Sequence, residues 1–347
     1  MEKYRKNVYC EKQFLKSYFQ FKENHDLDNN HVKKQLLESV ENIINSRYIK
    51  LYTDITEEDV DDNQRLFSDK NENITEYDKF IYDLLEKQYN NEIHLTLNSK
   101  INYNILDLNA LYLTDSLNKG QCEDIKKNYG VIVINIDNLF DYSYALKDQG
   151  KAISKRDDFC RSWKDVFANI NIMPYNAIVV IDNYILDDTN MMTENIEGLF
   201  EAIMPKELNT TFHITIVTSL KKIPYCNDRY NRLRDTVKKL RPNIDFELTI
   251  IKSQDFHDRT ILTNTMFFSC GAGFDLFRKK QSQKTTTVNV ALPLWGDNNI
   301  KWVNEAYSNI INDVKKVYNA TPEFDGSRIN ETMPNFYIGN KTNRIIE

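Results

Sequence analysis

Apolar residues recur at helical spacing in several stretches of the first 140 residues and alternate as in strands in others. The predicted helices are residues 11–21, 31–46, 76–89 and 120–128. The predicted strands are residues 48–55, 109–116 and 129–136. Helices and strands that alternate at this spacing favour an α/β layer with a largely parallel sheet.

A charged segment, residues 141–167, follows as a linker, and its second half has a helical pattern. Beyond it the strand pattern is clearer, because the residues near Ile178–Ile181 form a continuous apolar run that is typical of a buried strand. The predicted order is strand 176–186, helix 193–205, strand 212–219, helix 227–242, strand 246–253 and then a hairpin. Right-handed crossovers make this an α/β sandwich with its functional residues at the strand ends.

The fold class predicted for the whole chain is therefore α/β, with two domains. A smaller N-terminal α/β domain is expected over residues 1–145 and a larger α/β sandwich over residues 146–322. A polar tail is expected over residues 323–347.

Composition limits the partners of the protein. The 347 residues are 28% charged with a formal net charge of −6, so a surface that binds phosphate has to be local. The five cysteines include no C-x-x-C pair, which argues against a zinc ribbon and a disulfide scaffold and favours a reducing compartment. We find no signal peptide and no apolar run near the ~18–20 residues of a membrane helix, so we expect a cytoplasmic protein without a transmembrane segment.

The stretch SQDFHDRTILTNTMFFSCGAGFDLF contains most of the candidate chemistry. It resembles the pattern H-x-K-x4-D, followed after six residues by G-S, around which the phospholipase D superfamily is built. His257 takes the His position, Arg259 the Lys position and Asn264 the Asp position. Gly271 takes the Gly position, and Ala272 stands where Ser is usual. The spacing is intact, while three of the five residue types have changed.

The same region resembles one branch of that superfamily, the phospholipase D-like domain at the C-terminus of microtubule-interacting-and-trafficking (MIT) proteins, and its bacterial relatives. The matching motifs are His257-Asp258-Arg259, Gly271-Ala272-Gly273, Asp275 with Phe277, and Thr286-Thr287-Val288. The resemblance covers residues 150–320, about half of the chain. It implies a phospholipase D-like α/β sandwich, and in the eukaryotic branch a module that binds membrane phosphoinositides without hydrolysing them.

The resemblance also implies roles for individual residues. In a phosphoryl transfer His257 would be the nucleophile, Arg259 the phosphate clamp and Asn264 the group that orients the histidine. Backbone N–H groups near Gly271 and Gly273 would add contacts to phosphate. No cofactor is expected at this site, and catalysis would pair two copies of His257 across a homodimer.

The substitutions favour binding over fast hydrolysis. An arginine keeps the positive charge and adds a bidentate fork for phosphate oxygens. An asparagine cannot stabilise an imidazolium by charge, so catalysis would need Asp255, Asp258 or Asp275 in its place. The alternative is a buried His-Arg-Asn hydrogen-bond network that only stabilises the hairpin.

The predicted helix 227–242 is rich in basic residues. Arg229 and Arg232 could contribute to a positive strip that contacts phosphates. The alternative is a solvated helix face whose charge is offset in part by Asp228 and Asp235.

The N-terminal zone resembles PIN-like nuclease domains, which place one acid after the first strand and another in an L-x-T-x-D-like turn. Glu11 and Asp115 match these positions, with Asp54 and Glu38 as companions. The resemblance implies a divalent metal that activates water. The alternative is an α/β domain with surface acids that serves as a scaffold or binds a partner.

Three functions remain open from the sequence, in decreasing order of support. The first is a nucleic-acid-directed protein that binds, and in its catalytic form cleaves, phosphodiesters; similar bacterial proteins suggest an antiphage defence or mobile-element system with protein partners. The second is a catalytically inactive adaptor that binds a partner protein or a phosphorylated ligand. Membrane phosphoinositide binding is the least favoured, because no amphipathic basic and aromatic stripe stands out.

Overall fold

The computed structural model describes ten stretches of the chain, which are residues 4–24, 30–68, 73–146, 149–188, 190–219, 226–253, 255–257, 259–294, 300–324 and 335–347. Contacts divide the chain into two compact units. Unit 1 comprises Met1–Lys126, Val131–Lys147 and Leu294–Ser308. Unit 2 comprises Lys127–Gly130, Asp148–Pro293 and Asn309–Glu347.

Unit 1 is an α/β layer around a five-stranded parallel sheet. Its strands are β1 (Lys6–Cys10), β2 (Ile49–Thr53), β3 (Leu95–Thr96), β4 (Leu111–Leu113) and β5 (Ile132–Ile134). Its helices are α1 (Lys12–Asn24), α2 (His31–Ile44), α3 (Glu57–Ser68), α4 (Glu76–Tyr89), α5 (Lys119–Tyr129), whose end enters unit 2, and α6 (Ile136–Leu139). A 3-10 helix, Phe140–Leu146, completes it.

The strand order β3-β2-β1-β4-β5 creates a switch point in this sheet. The chain proceeds from β1 outward to β2 and β3 and then returns to β4 on the other side of β1. The residues that follow β1 and β4, among them Glu11 and Asp115, therefore flank the crevice where such sheets bind ligands.

Unit 2 is built on an eight-stranded sheet and confirms the α/β class. Its strands are β6 (Gln149–Ile153), β7 (Ala177–Ile181), β8 (Phe212–Thr218), β9 (Phe246–Lys252), β10 (Thr260–Thr263), β11 (Phe267–Cys270), β12 (Phe277–Arg278), β13 (Gln281–Ser282), β14 (Thr286–Ala291) and β15 (Phe336–Gly339). Its helices are α7 (Trp163–Phe167), α8 (Gly198–Ile203), which follows a π-helical turn at Thr193–Glu197, and α9 (Cys226–Leu240). The helix α10 (Ile300–Ala320) lies in unit 1 up to Ser308 and in unit 2 from Asn309.

The strand order in the large sheet is β15-β9-β8-β7-β10-β11-β14-β6. The strands β7, β8 and β9 are parallel, and the other pairs are antiparallel. All five residues of β7 are buried, as its continuous apolar run predicted. The two small strands β12 and β13 pair separately as a ribbon. The predicted hairpin is β10 and β11.

Both edges of this sheet come from segments that we did not predict as strands. The expected linker contains β6, which pairs with β14. The expected polar tail contains β15, which pairs with β9, and its Phe336 and Ile346 are buried; residues 325–334 lie outside the described ranges. The prediction of a polar tail is therefore wrong for residues 335–347.

An aromatic cluster lies behind the loop that joins β11 to β12. The ring of Trp163, which is fully buried, lies 5.8 Å from that of Phe274 and 5.4 Å from that of Phe277. Burial of three aromatic side chains of this size anchors the loop firmly to the core.

Candidate functional site

The carboxyl ends of the three parallel strands of unit 2 meet at one edge of the sheet. Asp182 follows β7, Ser219 follows β8 and Ser253 follows β9. The strand β10 pairs with β7 in the antiparallel direction, with Thr260 opposite Ile181, so the residue before β10 lies beside Asp182. Open α/β sheets place their ligands at such an edge.

The Asp182 carboxyl group is fully buried and connects β7 to the loop after β11. Its Oδ1 accepts the Tyr184 N–H at 2.8 Å, and its Oδ2 accepts the Phe274 N–H at 2.6 Å. Burial raises the pKa of Asp182 above its ordinary value, with a further increase from Asp275; the two N–H groups and Arg259 act in the opposite direction. Both oxygens are engaged, so this carboxyl group acts as an anchor.

Arg259 immediately precedes β10, and its side chain is held in a defined position. Its Nη1 donates to the Gly271 carbonyl at 2.8 Å, and its guanidinium carbon lies 5.5 Å from the centre of the Tyr184 ring. Gly273 has a φ of +88°, and a Cβ there would lie 2.8 Å from both the Arg259 Cδ and the Asp182 Oδ2. Glycine is thus required at 273 by conformation and by space.

Two further charged side chains complete this group. The Lys284 Nζ donates to the Asp275 Oδ1 at 2.7 Å and to the Ala272 carbonyl at 2.8 Å. We call Asp182, Arg259, Gly273, Asp275 and Lys284 the Arg259 cluster. Two cations face two carboxyl groups in it, so the cluster has little net charge.

His257 lies two residues before Arg259 in the loop between β9 and β10, and its side chain is exposed. The Asn183 side-chain amide donates to the Phe256 carbonyl at 2.7 Å, which ties this loop to the residues after β7. An exposed histidine does not fit the alternative of a buried network that only stabilises the hairpin.

The acids expected to replace the missing carboxylate are already engaged or lie outside the described residues. The Asp275 carboxylate forms the ion pair with Lys284. The Asp255 Oδ2 accepts the Ser253 hydroxyl at 3.1 Å. Asp258 is outside the described ranges.

Asn264 does not reach this edge, which corrects its expected role as the group that orients His257. It follows the four-residue strand β10 at the opposite end from Arg259, so the two residues lie roughly 16 Å apart at the rise of a β-strand. Asn264 is buried, and its Oδ1 accepts the Asn176 N–H at 3.0 Å. Its role is therefore structural.

The glycine motif contributes differently from the expectation. Gly271 offers its carbonyl to Arg259. The N–H groups of the next three residues are engaged inside the protein: Ala272 donates to Thr286, Gly273 to Cys270 and Phe274 to Asp182. Gly273 therefore shapes the cluster by close packing, while the N–H groups of residues 272–274 are already occupied.

The basic residues of α9 do not form the expected phosphate-binding strip. Arg229 is buried and donates to the Asp187 carbonyl at 2.8 Å. Arg232 forms an ion pair with Glu197 at 2.6 Å and donates to the Thr193 hydroxyl at 2.7 Å. Both arginines fix α9 to the rest of unit 2; the assignment to phosphate is wrong for the buried Arg229 and stays a prediction for Arg232, whose side chain is partly exposed.

Glu11 and Asp115 lie side by side at the switch point of unit 1. The Glu11 Oε2 accepts the N–H groups of Asp115 at 2.7 Å and Ser116 at 2.9 Å, and its Oε1 accepts the Tyr103 hydroxyl at 2.7 Å. Burial would raise the pKa of Glu11, yet these hydrogen bonds outweigh it and the pKa is lowered. Both carboxylate oxygens of Glu11 are thus already engaged in hydrogen bonds within the protein.

Of the two expected metal companions, Asp54 follows β2 at the same edge of the sheet as this pair, and Glu38 lies on α2. The Asp54 Oδ1 accepts the Lys12 N–H, and Glu38 is exposed on α2. Asp115 lines an open cavity of about 340 Å³ together with Asp137. Within the described ranges no three His, Cys, Asp or Glu side chains are arranged to bind a metal, so we derive no metal-dependent step. The PIN-like resemblance stays a prediction.

Motif spacing missed Asp182 and Lys284. Asp182 carries a signal that could have found it, because it is the first polar residue after the most apolar strand of the chain, at the edge where such sheets bind ligands. Lys284 has no such signal in the sequence, because it approaches its partner Asp275 only when β12 and β13 pair as a ribbon.

None of the described helices combines the length and the apolar character that a membrane crossing needs.

Comparison with known proteins identifies one family in this chain. Residues 161–291 match the family model described as a phospholipase D-like domain at the C-terminus of MIT. No curated protein matches the chain. A solved structure of TrmBL2, an archaeal chromatin protein described as showing a novel mode of DNA binding, aligns with 11% identity over 48% of this chain, at a TM-score of 0.25 that is too low to establish a common fold. The chain spans about half, 52%, of that protein. Residues 161–291, in the C-terminal half of this chain, therefore form a phospholipase D-like domain, and this range includes the residues of the Arg259 cluster.

Proposed function

We propose that the phospholipase D-like domain binds a phosphodiester group of a nucleic acid at Arg259 and His257 and does not cleave it. The observation that supports this most is the placement of Arg259. Its guanidinium is partly exposed and is fixed by the Gly271 carbonyl, the Tyr184 ring and the packing of Gly273. A guanidinium fixed in this way loses little entropy when it forms two parallel hydrogen bonds to phosphate.

The second half of the proposal, that the phosphodiester is not cleaved, follows from the partners and positions of the nearby carboxyl groups. A histidine nucleophile is activated by an acid that orients it and stabilises its positive charge. Both oxygens of Asp182 are bound by N–H groups, Asp275 is paired with Lys284, and Asn264 lies at the far end of β10. A binding site that needs no activated histidine also needs no second copy across a homodimer.

The test is fluorescence anisotropy with labelled single-stranded and double-stranded DNA and RNA, at low and at physiological salt. Arg259→Gln should weaken binding about tenfold, the loss expected for one charge-assisted contact, and Arg259→Lys should fall between that variant and the wild type. Arg234→Gln is the matched control, because Arg234 is an exposed arginine of α9 in the same unit. Equal binding by Arg259→Gln and the wild type would disprove the proposal.

A cleavage assay on the same oligonucleotides tests the second half of the proposal. We expect no product beyond that of the uncatalysed reaction, with or without divalent metal. Product that disappears in His257→Gln would show that the domain is catalytic after all. Product that disappears only in Asp115→Ala would place the chemistry in unit 1.

One observation favours a second candidate, an adaptor that binds a short phosphorylated ligand or a phosphorylated partner protein. The two cations of the Arg259 cluster face two carboxyl groups, and Arg229 and Arg232 are engaged inside the unit, so these four residues do not form an extended positive strip beside the site. Long nucleic acids depend on such strips. A phosphopeptide that binds more tightly than the oligonucleotides, with a smaller loss of affinity as salt is raised, would favour the adaptor.

We extend the proposal to a role in antiphage defence, which rests on the resemblance to bacterial relatives. Cells that express the wild-type protein should resist phage infection, measured as plating efficiency, and cells that express Arg259→Gln should not. Equal plating on both strains would contradict the role in defence and leave the binding proposal to the anisotropy measurement.

A further inference from the structure

Two turns beside the edge strand β6 of unit 2 lie next to each other. The first comprises residues 154–161, and the second comprises residues 278–285, which include the turn of the β12–β13 ribbon. The Lys155 N–H donates to the Thr285 hydroxyl at 3.1 Å, and the Arg156 N–H donates to the Ser282 carbonyl at 2.9 Å. We call these two segments together the turn surface.

The turn surface is basic, although the net charge of the protein is −6. Its residues include seven cations and two acids, Asp157 and Asp158. Arg161 pairs with Asp158 at 3.4 Å, and Lys284 pairs with Asp275 at 2.7 Å. The five other cations are exposed and form no ion pair within the described ranges: Lys155, Arg156, Arg278, Lys279 and Lys280. Five exposed cations on two adjoining turns create a local field that attracts a polyanion.

Three of these five cations occupy backbone positions where glycine or asparagine is usual. Lys279 and Lys280, with φ of +50° and +56°, are the two central residues of the β12–β13 hairpin. A two-residue hairpin with both φ values positive is a type I′ turn, for which Asn-Gly is preferred. Arg156 has a φ of +58° in a turn that the Asp157 N–H closes onto the Ser154 carbonyl. A side chain in this region is unfavourable for folding, so stability alone does not account for these cations.

An exposed aromatic ring stands among the cations of the first turn. Phe159 is 90% exposed, and its N–H donates to the Asp157 Oδ1 at 2.8 Å. The next residue, Cys160, is fully buried, so the backbone is held on both sides of the ring. Proteins that bind single-stranded nucleic acid combine these two features, because cations contact the phosphates and aromatic rings stack on the bases.

The turn surface adjoins the Arg259 cluster. Lys284 belongs to both, because its Nζ donates to the Asp275 carboxylate and to the Ala272 carbonyl. The Ala272 N–H also donates to the Thr286 hydroxyl at 3.3 Å. The segment 284–286 therefore connects the loop that holds Arg259 with the turn that contains Lys155, and a strand bound at one end has a basic surface at the other.

A membrane surface is the alternative polyanion, and the acids beside Phe159 argue against it. Insertion of the ring would bring Asp157 and Asp158 to the headgroups. Anionic headgroups repel carboxylates, and the membrane interior excludes them. A base that stacks on Phe159 leaves both carboxylates in water, so the arrangement favours nucleic acid.

We propose that the turn surface binds a single strand of nucleic acid, with its five exposed cations at the phosphates and an unpaired base on Phe159. This inference rests on the proposed binding of nucleic acid by the domain, and it adds the class of ligand and the surface that extends the Arg259 site. A base within a duplex is already stacked between its neighbours, so the ring selects single strands.

Fluorescence anisotropy of the full chain tests the class of ligand. The probes are a labelled single-stranded DNA of about 20 nucleotides and the duplex of the same sequence, each at several salt concentrations. The single strand should bind at least about fivefold more tightly than the duplex, which is the smaller effect of one stacked base. Equal binding, or tighter binding of the duplex, would overturn the proposal.

A double variant tests the charges without loss of the fold. Lys279→Asn combined with Lys280→Gly removes two cations and gives the type I′ turn its preferred sequence, so the urea midpoint should not fall. Binding of the single strand should weaken, and the slope of log affinity against log salt should decrease by about 1.4, at ~0.7 for each phosphate contact. Lys238→Gln combined with Lys239→Gln removes two exposed cations of α9 and is the matched control. An unchanged slope in the turn variant, or an equal decrease in the control, would overturn the proposal.

Two variants of Phe159 test the stacking. Phe159→Leu should weaken binding of the single strand at least about fivefold with an unchanged salt slope, and Phe159→Tyr should bind as the wild type does, because it keeps the ring. An equal loss in both variants, or no loss in Phe159→Leu, would contradict stacking on this ring.

Two further comparisons separate this inference from its neighbours. If the turn variants weaken binding and Arg259→Gln does not, the turn surface is supported and the proposed role of Arg259 fails; the reverse result overturns the turn surface alone. Sedimentation with vesicles of phosphatidylserine and phosphatidylcholine tests the membrane alternative. Vesicle binding that Phe159→Leu abolishes, without any effect on the single strand, would overturn the proposal in favour of a membrane.

Discussion

Gly273→Ala tests the geometry of the Arg259 cluster most directly. The φ of +88° puts residue 273 in the left-handed region, where a side chain costs about 1–2 kcal/mol. The new Cβ would also lie 2.8 Å from the Arg259 Cδ and the Asp182 Oδ2, and overpacking of this kind costs about 1–3 kcal/mol. We therefore expect the free energy of unfolding to fall by about 2–5 kcal/mol.

Gly271→Ala provides the matched control two residues away. A Cβ at Gly271 meets no atom within 4 Å, and the residue is exposed, so the change should stay within about 0.5 kcal/mol. Urea unfolding followed by tryptophan fluorescence compares both variants with the wild type, and the buried Trp163 reports on the core behind the loop. Equal unfolding midpoints for the two variants would refute the close contact at Gly273.

Two further predictions concern the opposite end of the same sheet. Asn264→Asp restores the superfamily residue at a buried position that accepts the Asn176 N–H, so it should destabilise the protein by about 1–3 kcal/mol and add no hydrolysis. Hydrolysis gained in this variant would contradict the position of Asn264 at the far end of β10 from Arg259. Burial, and then the charge of Arg344, lower the pKa of His213 from 6.5 to about 4, so the unfolded state binds more protons between these values and stability is lost as the pH falls through them. The urea midpoint should decline from pH 7 to pH 4.5, and His213→Gln should flatten that decline; an unchanged slope would show that other groups cause it.

The sequence predicted the elements whose pattern is local. The helix α4 spans residues 76–89 as expected, and its start is explained by a capping box in which Thr75 and Asp78 exchange hydrogen bonds. The strand β7 was predicted because burial on both faces demands a continuous apolar run. In both cases the information lies within one segment.

The two edge strands of the large sheet were missed for a common physical reason. An edge strand pairs on one side only and needs less apolar surface, so its sequence alternates weakly. In β6 only Ile153 is buried, and in β15 only Phe336 is. Their positions are decided by partners distant in sequence, β14 and β9, which no local pattern reports.

The candidate site likewise has residues that the local sequence pattern identified and residues that only the tertiary pairing brings together. Motif spacing named both Arg259 and Gly273, which lie against each other because the motif spans the two ends of the β10–β11 hairpin. Asp182 is separated from Arg259 by two crossover connections, so their proximity follows only from the pairing of β7 with β10. The arginines of α9 looked available because composition does not show which side chain faces the core.

The two departures from the superfamily pattern make sense once each residue is placed. The four residues between Arg259 and Asn264 are the strand β10. The motif spacing therefore equals the length of this strand, and the two motif residues lie at its opposite ends, in different environments. At the end with Asp182 and Asp275, Arg259 has two carboxyl groups nearby. At the other end the neutral Asn264 amide accepts a backbone N–H in a buried position, where a carboxylate would be costly to desolvate. Intact spacing is therefore evidence for the fold of the hairpin. Catalysis depends instead on whether an acid reaches His257. Among the described residues, the three nearby acids each bind another partner: Asp182, Asp255 and Asp275.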